Sequence, residues 1–129
     1  MKLFQIILLI TFTTSFVQAQ NKFRKDYNHF SICNLETDEW TEWEDGDNTF
    51  VFNSNANGDI THYRGNGDIV VFKKISDPKV DYLKNEYSRY QTVKVLDEDG
   101  YTCTIQLFDD EKKGLKIIYS NLIIQFSRY

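Results

Sequence analysis

Short runs in which apolar and polar side chains alternate recur from about residue 28 to the end of the chain. The runs are rich in Val, Ile, Thr, Tyr and Phe, which suit the half-buried surface of a pleated sheet. In order they read HFSIC, EWTEW, TFVFN, DITHYR, DIVVFKKI, YQTVKVLD, YTCTIQLF, GLKIIYS and LIIQFSR. This pattern predicts an all-β protein with an antiparallel meander of about eight or nine short strands.

The breaks between the runs have the chemistry of tight turns. Asn-Gly steps occur within residues 56–59 and 65–68, and Asn and Gly accept the positive φ that two-residue hairpin turns require. Consecutive hairpins build a sheet that must curl or fold over to bury its apolar face. We therefore expect a small barrel or a barrel-like sandwich.

Alternation within the runs identifies the side chains expected to face the interior, since a one-residue slip would turn each set outward. The predicted inward set comprises Phe50, Phe52, Val93, Val95, Tyr101, Cys103, Ile105, Leu107, Leu122, Ile124 and Phe126. Barrels of this size either hold one small ligand or are filled by side chains. For so short a domain we expect a filled core.

One segment departs from the strand pattern. Asp77-Pro78 resembles a helix cap followed by a first-turn proline, and Val80, Leu83 and Tyr87 then follow with helical spacing. These features are compatible with one short helix near residues 78–88, and the alternative is a long hairpin loop.

The first residues have the order of a secretory signal peptide. Met1-Lys2 is basic, a short apolar run follows, and Val17-Gln18-Ala19 offers a cleavage site between small residues. The apolar run is shorter than the ~20 residues that a bilayer span requires. We therefore predict a signal peptide at 1–19, an N-terminal lead-in at 20–27 and a single β domain at 28–129, in a secreted or periplasmic protein with no membrane span after signal removal.

Charge and cysteine content narrow the interpretation further. The formal net charge is −4, which argues against a nucleic-acid partner, because such proteins carry a basic patch. An oxidising compartment would allow Cys33 and Cys103 to form a disulfide, and we favour this pairing over two separate buried thiols.

The segment DEWTEWEDGD, residues 38–47, carries six carboxylates and two tryptophans. In a regular strand Trp40 and Trp43 would face opposite ways unless a bulge intervenes, so at least one indole should be exposed. With Glu42 and Glu44 they form the candidate binding residues, directed at an envelope protein or a glycan. The simpler interpretation is a buried Trp beside an acid-rich edge that keeps the sheet soluble.

No recognisable catalytic, cofactor or metal motif is present. The two histidines, His29 and His62, lack the spacing of a zinc site, and no nucleophile motif or phosphate loop occurs. We therefore expect no enzyme activity, no cofactor and no metal. The favoured function is a non-enzymatic binding or accessory module of the cell envelope, and the alternative is a small β-barrel carrier of an apolar ligand.

The last third of the chain resembles small exported all-β proteins of Bacteroidota-type bacteria. The resemblance is carried by a LDEDG turn, a QLFDD strand end and a KIIY strand, together with the WTEW of Trp40 and Trp43. It implies export and an all-β fold, and it carries no site residues.

Overall fold

The computed structural model describes residues 21–84 and 88–129 of the chain. These residues form ten β-strands, and no helix occurs among them. The strands are β1 (Phe23–Asn34), β2 (Glu39–Trp40), β3 (Glu44–Phe52), β4 (Ile60–Tyr63), β5 (Ile69–Lys74), β6 (Lys79–Tyr82), β7 (Arg89–Leu96), β8 (Thr102–Phe108), β9 (Leu115–Ile118) and β10 (Leu122–Ser127). The predicted all-β fold and the predicted antiparallel meander are confirmed.

Eight of the strands close into a small barrel. Neighbours pair in the order β10-β9-β8-β7-β5-β4-β3-β1, and β1 returns to pair with β10 over the register from His29↔Ser127 to Asn34↔Leu122. The two remaining strands are short additions, since β2 pairs with β1 and β6 pairs with β7. Closure removes the free sheet edges that an open meander would leave.

The interior follows the predicted alternation. Most of the predicted inward side chains join one buried cluster: Phe50, Phe52, Val93, Val95, Cys103, Ile105, Leu107 and Phe126, with Ile124 packed against it. Tyr101 is an exception, because it precedes β8 and is 68% exposed. Leu122 is half-buried at the start of β10. The prediction therefore holds where the strands are paired and weakens at their ends.

Strand β1 starts earlier than the sequence pattern indicates. The predicted lead-in over 20–27 is instead part of β1 from Phe23 onwards, where Phe23 pairs with Phe52 of β3 and stacks on its ring at 4.8 Å. Arg24 and Asp26 form an ion pair with each other on this strand. The run looks basic and loose in sequence, but pairing with β3 supplies the backbone partners that order it.

The register between β1 and β3 shifts between Tyr27 and His29. Tyr27 belongs to the buried cluster, and Phe30 packs against that cluster opposite Phe126 of β10. Both aromatic rings therefore face the interior, although they are three positions apart. Beyond the shift, His29, Ser31 and Cys33 alternate with Phe30 and so belong to the outer face of the barrel.

Of the two alternatives for residues 78–88, a short helix or a long hairpin loop, the helix is not formed by the described residues of the segment. Residues Lys79–Tyr82 form strand β6, which pairs with β7 from Lys79↔Thr92 to Tyr82↔Arg89. Val80 of the supposed apolar stripe is 53% exposed, so the stripe is not buried at this position. Tyr87, the last residue of the stripe, lies outside the described residues, as does the predicted signal peptide at 1–19.

The expected disulfide between Cys33 and Cys103 is not formed, and both residues are free, buried thiols. Strand pairing explains why. Cys103 pairs with Val95 and belongs to the interior cluster, whereas Cys33 pairs with Ile123, whose neighbour Ile124 faces the interior. The two thiols therefore lie on opposite faces of the sheet, which the sequence spacing could not indicate.

Candidate functional site: an open cavity at one end of the barrel

One end of the barrel is hollow. A cavity of about 620 Å³ opens there, within the size range of ligand pockets in proteins. Its apolar wall is formed by Phe30, Ile32, Phe72, Ile117, Ile124 and Phe126. The expectation of a completely filled core is therefore wrong for this end of the molecule.

Two glycines, Gly46 and Gly65, line this cavity. Gly46 occupies an inward position of β3, two residues before Asn48 and four before Phe50. A Cβ at Gly46 would lie 3.2 Å from the ring of Phe30, so any larger side chain would project among the cavity residues. Gly65 is more constrained, because its Cβ would lie 2.7 Å from the backbone oxygen of Asp47. Small residues therefore keep this end open.

His62 is the buried polar side chain of the cavity wall. It pairs with Phe50 and Val70, faces the interior, and is only 3% exposed. The Phe50 ring stacks on the imidazole at 4.1 Å, and Phe126 meets it edge-on at 5.4 Å. Aromatic packing on two sides fixes the orientation of the ring.

The hydrogen bonding of His62 sets its charge state. Nε2 lies 2.8 Å from Oδ1 of Asn48, and because an amide oxygen only accepts, Nε2 donates the proton. Nδ1 is then an unprotonated acceptor, and it is buried without a hydrogen-bond partner. Burial, aided by the charge of Arg64, lowers the pKa of His62 to about 4. The cavity wall is therefore neutral here at physiological pH.

Tyr119 is a second polar side chain of the wall. It is also neutral, and its hydroxyl already has a hydrogen-bond partner. Its hydroxyl donates to Oδ2 of Asp97 at 3.0 Å, and burial raises its pKa above the ordinary tyrosine value. The ring contributes to the cavity wall while the hydroxyl is bound to a carboxylate. The interior thus offers mainly apolar contact, with few free polar groups.

The mouth of the cavity carries one unpaired cation. Arg64 follows β4 directly, lines the cavity and is solvent-exposed. Among residues 21–84 and 88–129, the ion pairs use Arg24, Lys74 and Arg89 as cations, and Arg64 takes part in none of them.

Two carboxylate residues, Asp45 and Asp47, also border the cavity, but alternation assigns their side chains to the other face. Gly46 and Asn48 occupy the inward positions of β3, and Asp45 pairs with the outward-facing His29. Asp45 and Asp47 therefore contribute backbone to the cavity rim rather than charge to its interior.

The sequence-predicted candidates lie elsewhere, on the outer face. Trp40 and Trp43 are 46% and 47% exposed, and Glu42 and Glu44 are exposed as well. Residues 41–43 between the indoles belong to no strand. Trp40 pairs with Cys33 of the outer face, and Trp43 contacts His29 of the same face. Both tryptophans consequently reach the same outer surface, and neither lines the cavity.

His29 lies beneath this outer surface and is 2% exposed. Its ring stacks on Tyr129 at 3.6 Å and contacts Trp43 at 4.6 Å, and Nδ1 bonds Oδ1 of Asn28. Burial lowers the pKa of His29, and the nearby charge of Asp45 opposes that shift. This aromatic stack covers the outside of β1 and explains why an outward histidine is hidden from water.

Sequence reasoning placed Ile124 and Phe126 of the cavity wall on the inner face but did not identify the cavity or its polar residues. His62 follows Ile60 by two positions in an alternating run, which marks it as inward-facing. Nothing in the sequence marks Gly46 or Arg64 as neighbours of His62, because barrel closure brings these residues together.

Comparison of the chain with protein-family models, with curated proteins and with solved structures gives no match. Within the described residues no group of three or more His, Cys, Asp or Glu side chains is arranged to hold a metal ion. The same residues include no helix that is long and apolar enough to cross a membrane.

Proposed function

We propose that this protein is a small β-barrel carrier that binds an apolar ligand in the open cavity. The supporting observation is the cavity of about 620 Å³ with a wall of aromatic and aliphatic side chains. Transfer of apolar surface from water into such a site contributes roughly 25 cal/mol per Å². A pocket of this size and composition is typical of small-molecule binding sites.

The test uses a neutral, apolar fluorescent probe, N-phenyl-1-naphthylamine, titrated into the purified protein. We expect saturable fluorescence enhancement in the wild type. Ile124→Trp places a large side chain among the cavity residues, and we expect it to weaken probe binding about tenfold or more. Ile123→Trp is the matched control, because the neighbouring residue faces outward and should leave binding unchanged.

The outcomes separate the alternatives for this proposal. Absence of probe binding in the wild type, with the fold intact by circular dichroism, would contradict it. Equal probe binding by wild type and Ile124→Trp would place the probe outside the cavity and would also contradict it. Thermal melting of both tryptophan variants checks that loss of binding is not loss of folding.

A second candidate function is a surface binding module for an envelope protein or glycan. The observation that favours it is the position of Trp40 and Trp43, both about half-exposed on one outer face. Aromatic side chains that are exposed together are enriched at binding surfaces. Intrinsic tryptophan fluorescence of the wild type should change on addition of soluble cell-wall glycan fragments. Isothermal titration calorimetry should show that the variant carrying Trp40→Ala and Trp43→Ala, which has no tryptophan left, no longer binds them. An unchanged spectrum across a broad fragment set would count against this candidate.

Both candidates are non-enzymatic, and both are proposed for an exported protein. Export is supported by the leader-like order of residues 1–19 in the sequence. N-terminal sequencing of the protein recovered outside the cytoplasm should give a first residue near Gln20. Recovery of the chain with Met1 intact would refute the proposed compartment and leave the cavity proposal untouched.

A further inference from the structure

We propose that the ligand of the open cavity is a single-tailed amphiphile with an anionic head group, whose tail lies in the barrel while Arg64 binds the head at the mouth. This inference rests on the proposed carrier function and specifies the chemical class of ligand. It follows from three features: an unpaired cation at the rim, a neutral interior, and apolar walls continuous with that rim.

The first feature is the position of Arg64. It directly follows β4, in which Ile60 and His62 face the interior, and continued alternation directs position 64 to the same side. Its charge reaches into the cavity, since it helps to hold His62 in the neutral form. A guanidinium offers a fixed fork of donors that matches a carboxylate, a sulfate or a phosphate.

The second feature is that no carboxylate is paired with Arg64. Among the described residues Arg64 forms no ion pair. Asp68 lies opposite Arg64 across the turn between β4 and β5, where the Arg64 amide donates to its carbonyl oxygen, but its carboxylate accepts from Nδ2 of Asn66. Asp45 and Asp47 occupy outward positions of β3 by alternation. A ligand anion at the mouth would consequently gain a cation without displacing a bound partner.

The third feature is that the interior disfavours a second anionic group. The donor Nε2 of His62 is engaged by Asn48, and the Tyr119 hydroxyl is engaged by Asp97. An anionic group placed deeper would lose its hydration without gaining a free donor, because the unpartnered Nδ1 of His62 only accepts, and this loss is costly. The remaining wall, including Phe30, Ile117 and Ile124, suits an alkyl tail.

The net charge of the whole protein would by itself favour a cationic ligand over an anionic one. The net charge is −4, so the average field of the molecule repels anions and attracts cations. A preference for an anionic ligand would therefore have to come from the mouth itself. A cationic amphiphile is the outcome that the overall charge alone would predict.

The experiment compares three amphiphiles with the same ten-carbon tail as competitors of the fluorescent probe: decanoate, decanol and decyltrimethylammonium. The two ions are used below their micelle concentrations and decanol below its solubility limit. In the wild type at low salt we expect decanoate to bind tightest and the cation weakest. Arg64→Gln should weaken decanoate binding about five- to tenfold and leave decanol within about twofold, as expected for one charge-assisted contact at an exposed site. The decanoate preference should shrink at high salt.

Lys73→Gln is the matched control, because it removes one positive charge from β5 at a position adjacent to inward Phe72 and outside the cavity. It should leave the three affinities in their wild-type order. Equal weakening by Lys73→Gln and Arg64→Gln would show a general charge effect and overturn the inference. Tightest binding of decanol or of the cation by the wild type would overturn it too, while the carrier function would stand. If the probe and all three amphiphiles fail to bind, the carrier function itself is refuted.

Discussion

The two ends of the barrel are built from the same strands, yet one end is packed and the other is hollow. At the packed end the Phe23 and Phe52 rings stack 4.8 Å apart with their planes 5° from parallel, and the remaining space is about 130 Å³. At the open end the cavity is about 620 Å³. Strand β1 contributes to both, since Phe23 closes one end and Phe30 lines the other.

The difference lies in the residues at inward positions rather than in the strand pattern. At the packed end the inward positions are large and apolar, among them Ile60, Ile105 and Leu107. At the open end a glycine, Gly46, and two polar residues, Asn48 and His62, take equivalent positions. Alternation therefore establishes which face is inside, and side-chain size decides whether the inside is filled.

The largest expected effect tests the packed end at Gly114, in the turn before β9. A Cβ there would clash with the carbonyl oxygen of Phe126, and φ is +66°, so Gly114→Ala combines a backbone clash with left-handed strain. We expect a loss of about 4 kcal/mol in the free energy of unfolding. Gly100→Ala is the control, because φ is +87° but no atom lies within 4 Å; it should cost about 1 kcal/mol in the same urea titration. Similar losses of unfolding free energy for the two variants would show that left-handed backbone strain, not the clash with β10, dominates the cost.

A pair of core truncations compares the two ends directly. Leu115 is fully buried and pairs with Phe126, while Ile124, two residues away on β10, borders the cavity and is only partly buried. Leu115→Ala should create a new void and cost about 3 kcal/mol, whereas Ile124→Ala enlarges an existing cavity and should cost about 1 kcal/mol. Chemical denaturation measures both. Equal costs would mean that the open end is packed in solution.

His62 makes the stability of the open end depend on pH. Its pKa is about 4 in the folded protein and near the ordinary histidine value of 6.5 when unfolded, so between these values only the unfolded chain binds the proton. Stability is therefore full above about pH 6.5 and is lost as pH falls towards 4, by about 2 to 3 kcal/mol.

His62→Gln keeps a donor for Asn48 and removes this titration, so the difference between the two stability–pH curves isolates it. His29→Gln is the comparison variant, because burial also lowers the pKa of His29, on the outer face. Unfolding curves at several pH values provide the measurement. Parallel curves for wild type and His62→Gln would show that the imidazole is solvated, contrary to a closed aromatic packing around it.

The fold was accessible from the sequence because its main determinants are local. Alternating runs gave nearly all the barrel strands, and Asn-Gly turns such as residues 56–59 marked the hairpins. Residues 78–88 were harder to interpret. The helical spacing of Val80 and Leu83 is a local pattern, and it does not contain the non-local pairing with β7 that makes Lys79–Tyr82 a strand.

The candidate site was much less accessible, for the same physical reason. The prediction that at least one of Trp40 and Trp43 is exposed is confirmed, since both are about half-exposed. The cavity, however, is assembled from β1, β3, β4, β5, β9 and β10. The register shift beside His29 turns Phe30 inward, and no residue pattern announces it. Non-local closure therefore creates both the cavity and the opposite placement of Cys33 and Cys103.

The smallest expected effect sharpens the comparison at the open end. Gly46 has no positive φ, and its Cβ would lie 3.2 Å from the Phe30 ring and 3.8 Å from Nδ2 of Asn48. A small shift of the ring accommodates it, so Gly46→Ala should change the free energy of unfolding by less than about 0.5 kcal/mol. Gly46→Leu should be similarly tolerated in stability, because space is available beside the ring, but it should weaken binding of the fluorescent probe severalfold. A substitution that weakens binding without lowering stability is expected only at a position that borders a cavity. A stability loss at Gly46 comparable with that of Gly114→Ala would mean that the two ends are packed alike.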